Sequence, residues 1–416
     1  MAMNKTRAIL IRKNPIIQPA EVQLSSSKSE SNRALIINAL AGFSARLENL
    51  SNARDTVTMQ RLLETADEEL NVLDAGTTMR FLTAYCAAKQ ERRIIFGTDR
   101  MNERPIQILV DALREIGSGI RYLKAEGYPP LEIAGLQTQK SAYVRMRGDV
   151  SSQYISAVMM IAPTLPLGLT VELTGTVNSR PYIEMTLALM ENFGVRVVRK
   201  AENIFHFDPQ SYRPVTYRIE SDWSGASYWY SFISLCRSGS LRLPGLKNES
   251  LQGDRVIADI MEELGVKSRF TGEGAILEKT HTPGRELTID FSDCPDLAQT
   301  IAVVCAAKGI VCRMSGIESL RIKETDRILA LQNELAKIGA RLEEEEPHIW
   351  KLTPGNVENI PSPLTIKTYD DHRMAMAFAP LAVFTDLIVE NPGVVEKSYP
   401  GFWTELKKTG FTIEEA

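Results

Sequence analysis

The sequence is short of the residues that build metal and disulfide frameworks. Four histidines and five cysteines occur in 416 residues, with no HExxH pattern and no CxxC pair. A zinc site is therefore not expected, and a divalent metal on Asp370 and Asp371 is the weaker reading of those two carboxylates. The odd set Cys86, Cys236, Cys294, Cys305 and Cys312 reads as reduced thiols in a cytoplasmic protein. No apolar run reaches the length that crosses a bilayer, and the first residues lack a long apolar h-region. Neither export nor a membrane partner is expected. Excess positive charge is missing too, since 48 basic and 52 acidic side chains leave a formal net charge of -4. That balance argues against a nucleic-acid partner and makes any cationic cluster a local device.

What is present is an ordinary soluble composition, 44% hydrophobic and 24% charged, on a chain long enough for two domains. A unit recurs at intervals of about seventy residues. One member is an amphipathic helix ending in glycine before a strand, at Gly117, Gly194, Gly265 and Gly339. The other is a more apolar, small-residue helix beginning near Ser31, Gly76, Ser152, Gly225, Asp296 and His372. Between them RRIIFG, LTVEL, GSLRL and ELTIDF alternate as strands do. The fold class is α/β, and the units divide into two lobes. Crossovers fall near Ser25–Lys28 and Ser221–Ser227, giving one lobe of 25–221 and a second of 1–24 with 222–416.

Stretches rich in cations sit beside the starts of these helices, where free backbone N–H groups suit phosphate. SSKSESNRAL offers Lys28, Ser29 and Arg33; TDRMNERPI offers Arg100 and Arg104. LRIKETDRI offers Lys323, Glu324, Asp326 and Arg327, and YDDHRMAM offers His372 and Arg373. Converging cations imply a ligand with several anionic groups, and the interspersed carboxylates imply proton transfer. Gly76 lets the main chain approach a ligand, while Ser151, Ser152, Gln153, Ser179 and Tyr182 can ring a sugar-like molecule. Asp296 reads either as a helix-start carboxylate or as a base, and Lys397 alone reads as a surface lysine.

Taken in order, SKSxSNRAL, AGTTMRF, RMxERPI, SSQYISA, RIKETDR and DHRMAMAF resemble the enolpyruvyl transferase family, in its branch acting on shikimate 3-phosphate. The resemblance covers almost the whole chain. It implies two inside-out α/β lobes, each of three βαβαββ repeats, that close on substrate. It also implies a cytoplasmic monomer of the shikimate pathway, with shikimate 3-phosphate and phosphoenolpyruvate as substrates and no cofactor. Position by position, Lys28, Ser29, Arg33, Ser151, Ser152, Gln153, Ser179, Tyr182, Asp296 and Lys323 match shikimate 3-phosphate contacts. Lys28, Gly76, Arg100, Gln153, Arg327, Arg373 and Lys397 match those of phosphoenolpyruvate. Lys28, Asp296, Glu324 and His372 match the catalytic neighbourhood, with Glu324 as carbon acid and Asp296 as hydroxyl base. The reaction implied passes through a tetrahedral ketal.

Departures from the pattern raise specific expectations. Ser25, Ser26 and Ser27 stand where Pro-Gly-Ser is common, so their φ should be ordinary. Asp74 replaces an asparagine and should face a cation or backbone donors. Phe81 replaces a proline, and Ser319 an asparagine. The alternative branch, acting on UDP-N-acetylglucosamine, usually carries a reactive cysteine on the loop matching GTDRMNERP. This chain has none between Cys86 and Cys236. A non-catalytic anion-binding protein is the remaining alternative.

Overall fold

The computed structural model describes residues 8–90, 92–281, 284 and 286–416. The chain forms two compact units, one of Lys28–Ile219, the other of the segment up to Ser27 with Glu220–Ala416. Each unit has its own hydrophobic core. No helix among the described residues is long and apolar enough to cross a membrane.

Small and apolar residues put three helices at the centre of each core. Lys28–Leu40, Gly76–Ala88 and Ser152–Ile161 touch one another in the first unit, and Trp223–Leu235, Ala298–Lys308 and His372–Phe378 in the second. Trp223–Leu235 is buried at every position but Ser224, as a helix apolar on all sides must be. Sheets lie outside them, and their strands alternate buried and exposed residues, as in Ser118–Tyr122.

Five four-stranded sheets share one topology. In the clearest, Glu69–Asn71 runs parallel to Arg93–Phe96, which pairs antiparallel with Leu131–Leu136, itself antiparallel to Ser118–Tyr122. This is the βαβαββ unit, with helices joining the parallel strands and leading into the hairpin. In the last sheet the hairpin strand is Ala8–Ile11, from the other end of the chain, between Leu387–Glu390 and Ile413–Glu415. The repeat that starts at Ala20–Glu21 is interrupted by all of Lys28–Ile219 before it resumes at Ser240–Pro244.

The two-lobed α/β repeat fold is the one expected, and one copy in the Lys28–Ile219 unit is reduced. Among the described residues its sheet has only Thr216–Arg218 parallel to Arg46–Glu48. The cause is local. Elsewhere the amphipathic helix turns into its hairpin through a glycine of positive φ, at Gly117, Gly194, Gly265 and Gly339 as expected, and also at Gly410. The corresponding helix Arg54–Glu64 instead ends at Thr65 in an extended conformation and runs on to Glu69–Asn71, the next repeat's first strand. Ser25, Ser26 and Ser27 are not among the residues of positive φ, and Ser26 bridges Ser221.

Candidate active site

In the Lys28–Ile219 unit, four helix N-termini carry the expected ligand residues, and side-chain contacts tie them together. Lys28 and Ser29 open Lys28–Leu40; Gly76 and Thr77 open Gly76–Ala88. Ser151 caps Ser152–Ile161, and Ser179, at φ 54, precedes Arg180–Asn192. Gln153 donates to the Thr77 hydroxyl at 3.0 Å, joining two of these ends. Arg33 joins the rest. Its guanidinium donates to Thr186 Oγ1 (2.7 Å), the Ser29 carbonyl (2.9 Å) and Ser156 Oγ (3.1 Å). Tyr182 and Phe81 lie 5.7 and 5.3 Å from its centre. Those bonds use three of five guanidinium donors, and burial pulls Arg33 down to about 10. Phe81, the departure from proline, is thus a face for Arg33. Lys28 pairs with buried Asp55 at 3.1 Å.

Two expectations concern the Gly76 loop. Asp74 does face a cation, since Arg54 donates to both its oxygens at 2.9 Å. Arg100, expected among the phosphoenolpyruvate cations, is about half exposed (48%) and lies 3.4 Å from Glu103. Arg104 instead lies against Gly76: a Cβ built there would sit 2.6 Å from its Nη1. Its Nε is buried with no hydrogen-bond partner among the described residues. The motif RMxERPI holds both arginines, and nothing in their spacing says which one turns inward.

The second unit assembles a dense charge cluster around Arg327. That side chain, 2% exposed, donates through Nε to Asp371 Oδ2 (2.7 Å), through Nη1 to Asp296 Oδ1 (3.1 Å) and through Nη2 to Glu324 Oε2 (2.9 Å). Arg373 reaches Asp296 Oδ2 at 2.7 Å and the Tyr228 hydroxyl at 3.3 Å. Lys397, the supposed surface lysine, is buried and lies 3.3 Å from Glu324 Oε1. Asp371 also caps its helix, accepting from the Arg373 backbone N–H at 2.8 Å. Asp370 accepts from Asn391 at 2.7 Å, so both members of the considered metal pair are engaged with protein groups. His372 is buried, its Nδ1 3.6 Å from Asp371. Lys323 is half-buried, beside the cluster's Glu324.

The cluster separates two carboxyl groups in acidity. Burial would raise Asp296, but Arg373, Lys323 and Arg327 outweigh it and hold the group below the ordinary carboxylate range. Asp254, from the QGDR turn, goes the other way. Burial first, and the negative charge of Asp296 second, push it up to about 7, against the pull of Arg373. Ser224 Oγ donates to it, and Asp222 and Cys294 are its other titratable neighbours. Sequence reading did not single out Asp254; an aspartate in a polar turn carries no sign that the turn is buried.

A raised carboxyl contributes stability that is complete below its unfolded value near 4 and is lost as pH rises through about 7. Asp296, being depressed, loses its contribution only in more acid solution. Melting temperatures of the parent and of Asp254→Asn, followed from about pH 5 to pH 8, should therefore converge or cross as the parent weakens. A difference constant over that range would contradict the raised value.

Comparison with known proteins gives the family. The family described as EPSP synthase (3-phosphoshikimate 1-carboxyvinyltransferase) matches residues 60–406. A 3-phosphoshikimate 1-carboxyvinyltransferase of Bacteroides fragilis (strain YCH46) is 47% identical over 396 residues, 95% of this chain and 96% of that protein. One from Methanospirillum hungatei JF-1 is 35% identical over 414 residues, 92% of this chain and 94% of its own. In fold, the solved EPSP synthase of Acinetobacter baumannii superposes with a TM-score of 0.74 at 18% identity, covering 98% of this chain and 99% of that one. With the family match over residues 60–406 and 47% identity over 95% of its length, this chain belongs to the EPSP synthase family of enolpyruvyl transferases.

Proposed function

We propose that the protein transfers the enolpyruvyl group of phosphoenolpyruvate to the 5-hydroxyl of shikimate 3-phosphate, releasing phosphate through a tetrahedral ketal. The observation that carries this reading is the Arg327 cluster, in which two carboxylates of unlike surroundings share buried cations. The reaction needs one group to protonate the methylene carbon and to recover a proton from it as phosphate leaves, and another to take the hydroxyl proton. Glu324, held by Arg327 and Lys397, is the proposed carbon acid. Asp296, kept ionised by its cations, is the proposed base. Both relatives compared above are named for this activity.

The cations of this cluster pair with carboxylates. An incoming carboxylate and phosphate would compete for Arg327, Arg373 and Lys397 and loosen Glu324 and Asp296 for proton transfer. Fixed cations need no reorganisation as charge develops, and exclusion of water would strengthen them. His372 would keep its place in that neighbourhood as a buried neighbour of Asp371. In the other unit, Lys28, Ser29, Arg33, Ser151, Ser152, Gln153, Ser179 and Tyr182 are proposed to hold shikimate 3-phosphate. Gly76 and Arg104 are proposed for phosphoenolpyruvate, Arg104 in preference to Arg100 because only it is seen against Gly76.

A phosphate-release assay tests the activity. Phosphoenolpyruvate with shikimate 3-phosphate should release phosphate, and UDP-N-acetylglucosamine as parallel acceptor should not; the reverse result assigns the other branch. A second variant tests the Gly76 site. Gly76→Ala places a methyl against a flexible guanidinium, so folding should survive while Arg104 is displaced. The KM for phosphoenolpyruvate should rise by about tenfold, the equivalent of one charged hydrogen bond weakened, with shikimate 3-phosphate affinity within about twofold. An unchanged KM would remove Arg104 from the site.

A further inference from the structure

Arg327, Arg373 and Lys397 reach their cluster from segments that share no secondary structure: the starts of helices Arg327–Ala336 and His372–Phe378, and the end of the 3-10 segment Pro392–Lys397. A buried side chain outside the cluster links all three. Glu334 lies two turns along the Arg327 helix and is fully buried. Its Oε1 accepts from the Tyr369 hydroxyl at 2.8 Å, and its Oε2 from the Lys367 backbone N–H at 3.1 Å and from Lys337 Nζ at 2.6 Å. Lys337 donates in turn to the Thr365 carbonyl at 2.9 Å. Every one of these donors except Lys337 belongs to the segment that delivers Asp371 and Arg373.

That segment is unusual in its backbone. Tyr369 and Asp370 both have positive φ, 53° and 54°, a region that side chains other than glycine rarely adopt. Two such residues in succession need outside support, and the Tyr369 hydroxyl finds it on Glu334. Burial and Glu334 keep that phenol protonated, pushed up to about 12, so it remains a donor at neutral pH. The second residue carries the link onward. Asp370 Oδ1 accepts from Asn391 Nδ2 at 2.7 Å, and Asn391, itself at φ 46°, starts the segment that ends at Lys397.

We propose that Glu334 is a positioning residue for the cation cluster, setting the spacing of Arg327, Arg373 and Lys397 through the Tyr369–Asp370 turn and Asn391. It touches none of the three cations. Glu334 lies on the same helix as Arg327, so it sets that helix against the turn leading to Arg373. Asp370 and Asn391 extend the same constraint to Lys397. The inference rests on the functional reading above, because it assigns the spacing to phosphoenolpyruvate.

Tyr369→Phe removes only the hydroxyl, and Glu334→Gln removes the charge at unchanged shape. For each variant, thermal melting, calorimetric titration with shikimate 3-phosphate, and steady-state rates varied in phosphoenolpyruvate are compared with the parent. The KM for phosphoenolpyruvate should rise about tenfold, the weight of one hydrogen bond, with shikimate 3-phosphate affinity within about twofold and a cooperative melt retained. The double variant should lose little more than the worse single one, because both act on one link. Should Glu334→Gln not fold, Tyr369→Phe and Asn391→Ala carry the same comparison. A phosphoenolpyruvate KM within about twofold of an active parent overturns the proposal alone, as does a parallel loss of both ligands tracking the melt. A parent that releases no phosphate from this substrate pair overturns the functional reading and this inference with it.

Discussion

A guanidinium taken out of water must be repaid by partners, and the second unit is organised around that demand. Arg327 is 2% exposed and is met by Asp371, Asp296 and Glu324. Desolvating such a charge costs several kcal/mol by itself, and removing one partner from a buried pair typically costs about 3 to 5 kcal/mol. The carboxylates are therefore held as firmly as the cation. A cluster like this is a poor device for stability, since apolar residues would fill the same volume at less cost. Under the proposed function, it is a site whose charges are redistributed when an anion arrives.

The fold supplies such charges cheaply. With helices inside and sheets outside, the apolar helices can be featureless along their length and still end in polar first turns. Asp371 shows the economy of this: one side chain caps a helix, fixes the Arg373 backbone and binds Arg327. The other unit uses the same device with fewer carboxylates at its centre, Asp55 paired to Lys28 being one. Its helix starts carry serines, glycine and an amide, and Arg33 binds their helices through two hydroxyls and a carbonyl. One set of groups suits a hydroxylated phosphate ligand, the other a reaction that moves protons.

Much of this was legible in the chain. The glycine that ends an amphipathic helix is a local signal, and it located four repeats; Gly410 adds a fifth that a short helix, Phe402–Lys408, had concealed. The reduced repeat was legible only as a missing signal: Arg54–Glu64 has the same amphipathic look as its counterparts, but no glycine directly follows it and no hairpin forms. Asp74 was expected to face a cation and faces Arg54, for the electrostatic reason given. Lys397 could not be placed from composition, as burial of a lysine depends on where Glu324 comes to lie. Which of Arg100 and Arg104 lies against Gly76 depends on tertiary orientation, and so do the surroundings of Asp254 and Glu334. Each of those is an ordinary polar residue in its own stretch, made unusual by what surrounds it.

The central claim is that this cluster protonates carbon through Glu324, and it is tested most directly by isotope. Parent and Glu324→Gln enzymes are incubated with both substrates in deuterated water, and deuterium in the methylene group of phosphoenolpyruvate and of the product is followed by mass spectrometry. The account predicts that incorporation and turnover both fall by about 10² or more, the usual weight of a general acid, while shikimate 3-phosphate still binds. A variant that keeps about half of the parent's incorporation and turnover under saturating substrates would contradict it, and the proton would have to come from another group.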